Sequence, residues 1–138
     1  MADVPTTFWD DLAEDLRDPE FLRTYIAESI RIETIDRLVN ELDRVRAASH
    51  LSKADLARAI SAEPAVVRRL LSPNHRNPTI GTLVEVAAAL GLRVTLEPLP
   101  EGERQEITGT LRSGVTGDAL ELAKSMTDRR HGDSKLPA

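Results

Sequence analysis

The sequence predicts a mainly α, helix-turn-helix bundle closed by one short strand, and three observations point there. Between Leu51 and Gly91, two short amphipathic segments separated by a tight break lead into a polar, basic loop and a third apolar-periodic segment. DNA-reading helix-turn-helix units use that order of elements. The aromatic fraction is 3%, so the core must be built from Leu, Ile, Val and Ala, which suits packed helices better than two stacked sheets. At 138 residues the chain has room for one core with tails.

Residues 1–30 form an acidic amphipathic arm. They hold eight acids (Asp3, Asp10, Asp11, Glu14, Asp15, Asp18, Glu20 and Glu28) against Arg17 and Arg23, a net −6. Phe8, Trp9, Leu12 and Leu16 are spaced for one apolar helical face. Two readings follow: the face packs onto the rest of the domain, or Phe8, Trp9, Asp11, Leu12, Asp15 and Leu16 dock on a basic partner protein.

Asp18-Pro19 is a helix start, because the carboxylate caps free N–H groups and proline at the first helical position loses no hydrogen bond. Phe21, Leu22, Tyr25, Ile26 and Ser29 begin a stripe. Ile32, Ile35, Leu38, Val39, Leu42 and Val45 carry it to a helix end near Ala48, with a break expected around Glu33-Thr34.

The DNA-binding domain spans residues 31–100. Ser52 opens its second helix with Asp55 three residues on, a capping-box start. Leu56, Ala57 and Ile60 face inward, and Ala57 is small because the next helix crosses there. Ser61-Ala62-Glu63 makes the turn. Pro64 starts a third helix that runs to about Leu71, burying Val67 and Leu70 and leaving Ala65, Arg68 and Arg69 outside. A loop with two prolines follows, Ser72 to Pro78. Thr79 then caps a helix whose Leu83, Val86, Ala87 and Leu90 point inward, and Gly91 ends it in the left-handed position.

Beyond it, Arg93-Val94-Thr95-Leu96-Glu97-Pro98 alternates and stops at proline, as a strand over 93–98 would. A lone strand leaves backbone groups unpaired. The same strand of a second copy can pair with it, making Val94, Thr95 and Leu96 the dimer contact of a homodimer; strand addition by a different protein is the other solution. Residues 101–138 read as a largely flexible C-terminal tail with one short helix over 119–126.

Charge is unevenly distributed. The whole chain is −5, yet residues 31–100 are +2 and no acid stands between Glu63 and Glu85. The middle of the chain is therefore basic where contact with double-stranded DNA would fall. A third helix of about eight residues with an exposed first turn fits the roughly 12 Å major groove. Arg68 is the candidate for a bidentate pair to guanine, with Arg69 beside it on the DNA-facing surface; Pro64 and Ala65 are candidates for a thymine methyl, and Lys53 for a phosphate or outer base. Asn74, His75, Arg76 and Asn77 would grip phosphate without reading sequence. Glu63 either accepts from a cytosine amino group or favours the helix N-terminus.

No cysteine is present, which removes disulfides, thiolate metal sites and a thiol nucleophile. His50, His75 and His131 lack metal-ligand spacing, and no nucleophile elbow, phosphate-binding glycine loop or paired-carboxylate pattern occurs. The expectation is a protein that is not an enzyme and takes neither cofactor nor metal. The acidic N-terminus and the lack of a long apolar run predict a cytoplasmic protein with no membrane partner.

The stretch LSKADLARAISAEPAVVRRLLSPNHRNPTIGTLVEVAAALGLRVTLEPL resembles the Xre/Cro-like helix-turn-helix regulators, and more narrowly the HigA-type addiction-module antidote proteins. Those typically show a Leu-Ser-Pro loop, an Asn-Pro before the last helix, and Ala-Leu-Gly-Leu running into a short strand. The acidic lead from Asp10 to Tyr25 is also common among them. The resemblance implies a dimer that binds an operator palindrome, neutralises a cognate toxin and represses its own operon. Ser61 stands where many relatives carry glycine in the turn, and Glu63-Pro64 where a capping serine and a polar residue are usual. A stand-alone regulator without a toxin, and a protein-interaction module working through the acidic arm, are the alternative functions.

Overall fold

The computed structural model describes residues 6–73 and 77–132. The chain is mainly helical. α1 (Thr6–Asp15), α2 (Pro19–Ala48), α3 (Lys53–Ala59), α4 (Pro64–Leu70) and α5 (Ile80–Ala89) come first. Then follow α6 (Glu101–Glu103), a π-helical stretch (Arg104–Gly109), α7 (Thr110–Ser113) and α8 (Ala119–Gly132). Among the described residues no strand forms and no helix is long and apolar enough to cross a membrane. The described chain divides into two compact units, residues 35–97 and residues 6–34 with 98–132.

α2 starts as the sequence predicts, with the Asp18 carboxylate accepting from the Glu20 N–H at 3.2 Å. The expected break at Glu33-Thr34 does not occur, and the helix is continuous over thirty residues. Nothing between Glu20 and Ala48 interrupts it, since that run contains neither glycine nor proline.

In the unit of residues 35–97, Val39 and Leu42 of α2 share a core with Leu56, Ala57, Val67, Leu70, Leu71, Val86 and Ala87. Ile35, Ile60, Leu83 and Leu90 pack against it. Every inward residue expected of α3, α4 and α5 is fully or partly buried. Burying each of the Val and Leu side chains contributes roughly 1.5–3 kcal/mol.

Leu92–Pro100 is exposed throughout and has no regular structure, so residues 93–98 do not form a strand within one chain. Without a neighbouring strand the backbone has no ladder to join.

The other unit has its own apolar cluster. Leu16, Leu22, Ile26, Ile107, Leu122, Ala123 and Met126 are buried together, with Trp9, Leu12, Tyr25, Leu111 and Ala119 against them. The stretch expected to be largely flexible, with one short helix over 119–126, instead forms helical segments over 101–113 and 119–132, and it supplies four of those seven buried side chains. Arg23 fastens it by donating to the carbonyls of Leu111 at 3.0 Å and Arg112 at 3.1 Å. Gly114 ends α7 at φ 74°, and a Cβ there would stand 3.0 Å from the Arg23 guanidinium. Glycine answers both the backbone sign and the close approach.

Candidate nucleic-acid interface

The candidate site lies wholly in residues 35–97. Its geometry begins with the end of α2, where His50 adopts φ 57° and the Leu51 N–H reaches back to the Arg46 carbonyl. Arg46 holds the entry to α3, donating to Leu51 O at 2.7 Å and to Asp43 at 2.8 Å. Ser52 then caps α3 with a full capping box: its hydroxyl accepts from the Asp55 N–H at 3.0 Å, and the Asp55 carboxylate accepts from the Ser52 N–H at 3.1 Å.

That backbone N–H, helped by the Ser52 hydroxyl and by Arg58, holds the Asp55 carboxyl below its ordinary value. A group whose folded pKa is depressed supports the fold above the ordinary carboxylate range and loses that effect as pH falls through the lowered value. The cap is therefore intact at neutral pH.

The turn between α3 and α4 is set by Ser61 at φ 55°. Its N–H donates to Arg58 O at 3.2 Å and that of Ala62 to Ala57 O at 2.9 Å. This is a Schellman closure, which usually takes glycine. Pro64 occupies the first position of α4. Glu63 precedes it as the N-cap residue, with no side-chain cap hydrogen bond, its carboxylate standing at the N-terminal end of α4.

α4 buries Val67 and Leu70 and leaves Ala65, Arg68 and Arg69 exposed, with Pro64 half-buried beside them. Lys53 is half-buried at the start of α3. Asn74, His75 and Arg76 lie outside the described residues, while Asn77 is described and exposed.

Arg69 and Asn77 share a groove of about 200 Å³ with Val66, Leu70, Pro78, Thr79 and Thr82. The groove borders the start of α5, where the Thr79 hydroxyl accepts from the Thr82 N–H at 3.1 Å. Helix N-termini carry partial positive charge, so Arg69 and α5 favour an anion on the same side. Arg68 does not line the groove. The sequence singled out Arg68 for a guanine but gave no distinct place to Arg69; its place in the groove depends on how α4 and α5 meet.

Of the residues assigned to a protein partner, Leu16 is 1% exposed and belongs to the core of the other unit. Leu12 and Trp9 are partly buried against that core, and Lys124 lies 6.0 Å from the Trp9 ring. Leu16 is therefore corrected from a partner contact to a structural residue. Phe8, 49% exposed, and the exposed Asp11 and Asp15 remain at the surface. Val94, Thr95 and Leu96 are all exposed.

Among the described residues no group of three or more His, Cys, Asp or Glu could hold a metal ion. No protein-family model, no curated protein and no solved structure matches the chain.

Proposed function

We propose that the protein is a sequence-specific DNA-binding transcriptional repressor, acting as a homodimer and as the antitoxin of a toxin–antitoxin pair whose operon it autoregulates. The observation that carries the DNA-binding reading is α4: a short helix pinned by Val67 and Leu70, with Ala65, Arg68 and Arg69 exposed along its outer side. On this reading Arg68 contacts a base edge in the major groove, with Pro64 and Ala65 beside it. Arg69, in the groove at the start of α5, takes a backbone phosphate. Lys53, Asn77 and the 74–76 loop add phosphate contacts, and segments 93–98 of two copies pair across a two-fold axis.

Selection from a random pool of duplex DNA tests this. The parent is expected to enrich a two-fold symmetric sequence, and the Arg68→Ala/Arg69→Ala protein none. Equal enrichment by both proteins overturns the assignment of α4.

The antitoxin role is supported by the sequence resemblance and by the acidic surface of residues 6–34. Co-expression tests it. The product of the adjacent reading frame should arrest growth alone and not when this chain is present. Failure of the chain to relieve the arrest leaves the stand-alone regulator.

A further inference from the structure

A groove of about 530 Å³ lies between the π-helical stretch and α8, within the unit of residues 6–34 with 98–132. Its size is that of a small-molecule site. Thr110, the first residue of α7, lines it and is 6% exposed, yet among the described residues its hydroxyl has no hydrogen-bond partner. A helical threonine can satisfy itself one turn back, as Thr127 does by donating to the Ala123 carbonyl at 2.9 Å; Thr110 does not. A buried hydroxyl left unbonded is costly, because it has given up water and received nothing in return.

Two glycines leave space at the same place. Gly102 of α6 and Gly109 at the end of the π-helical stretch both line the groove, neither has a positive φ, and a Cβ on either would meet nothing within 4 Å. Glycine weakens a helix relative to alanine, and here neither the backbone nor packing within the chain requires it. Their effect is to keep the groove open. The turn between them is π-helical, a rare geometry that recurs at functional sites.

The lining selects for positive charge. Glu106, Asp118 and Glu121 contribute carboxylates, and none of the lining residues is Lys, Arg or His. Asp118 uses one oxygen to cap α8, accepting from the Glu121 N–H at 3.0 Å. Among the described residues these acids do not form a group that could hold one metal ion, so a ligand that answers them carries its positive charges spread along its length. Thr110, Thr116 and Ser125 add hydroxyl oxygens that accept from N–H donors. Val115, which is exposed, and Leu122 add aliphatic surface between them.

We infer that this groove binds a linear aliphatic polyamine, its ammonium groups on Glu106, Asp118 and Glu121, its methylenes along Val115 and Leu122, and one N–H donating to the Thr110 hydroxyl. The site lies outside the unit that carries α4, so it stands whether or not the chain reads DNA.

Calorimetric titration of the full chain with spermidine tests this. Saturable binding at a single site is expected, and magnesium at equal ionic strength should not displace the amine. Gly109→Leu fills the groove without altering charge, and Glu106→Gln removes a charge with little change of shape. Each should weaken binding by about tenfold or more while keeping parental helicity by circular dichroism; if Gly109→Leu loses helicity, Gly102→Leu reads the same space. Asp10→Asn/Glu14→Gln, which neutralises two exposed acids of α1 away from the groove, should bind as the parent does. A parent that binds no spermidine overturns the inference. So does a loss in Asp10→Asn/Glu14→Gln as large as that in the groove variants, which would show general attraction to acidic surface, and so does displacement by magnesium.

Discussion

Ser61 shows how one residue sets the turn between α3 and α4. It sits at φ 55°, where a residue with a Cβ pays roughly 1 kcal/mol or more and glycine does not. Ser61→Gly is therefore expected to raise stability by about 0.5–1 kcal/mol, seen as a melting temperature higher by a few degrees. An unchanged or lower melting temperature would mean that the side chain compensates for its backbone. The sequence made this position visible, since serine stands where a turn glycine is usual; the sign of φ came from the structure. Ser52, Pro64, Thr79 and Gly91 were legible for the same reason. A cap or a turn is decided by two or three neighbouring residues, and the chemistry of Ser52 with Asp55 is complete within four positions.

Elements that depend on remote partners were less legible. The break expected in α2 came from periodicity alone, and periodicity is insensitive to what packs on each half of a helix. α6, the π-helical stretch and α7 were not anticipated, and α8 was expected only as a short helix over 119–126, because Ile107, Leu111, Leu122 and Met126 are sparse in a polar stretch. They acquire a core only beside Leu16, Leu22 and Ile26, some eighty or more positions earlier. The unassisted segment looks unable to offset its ordering entropy. The continuity of α2 is testable at Thr34, which is exposed. Thr34→Pro in an unbroken helix should cost about 3 kcal/mol or more by denaturant unfolding. A loss below about 1 kcal/mol would indicate that the helix is interrupted there after all.

At the scale of the molecule, the acidic lead of net −6 over residues 1–30 and the net +2 of residues 31–100, merged in a total of −5, fall largely in separate compact units. The unit of residues 6–34 with 98–132 is closed by a contact that spans 96 positions. Arg129 donates to both Glu33 oxygens, at 2.9 and 3.1 Å, and also to Glu103. Glu33 is buried, and no local pattern signals a pairing at that separation. Removing the bidentate donor of a buried carboxylate costs about 3–5 kcal/mol, so Arg129→Ala should unfold this unit at markedly lower denaturant. A midpoint that does not move would show that solvent replaces the guanidinium at no cost.

The central claim, that α4 is the DNA-reading helix with Arg69 on phosphate and Arg68 on a base, rests most directly on the salt dependence of affinity for the duplex that the parent selects. Each phosphate contact contributes about 0.9 to the slope of log affinity against log salt. Arg69→Ala is expected to lower the slope magnitude by about 0.9 per half-site and to weaken all sequences alike. Arg68→Ala should instead lose about 1–3 kcal/mol of discrimination at one base-pair position. A slope and a sequence preference that both survive in the two variants would contradict the claim.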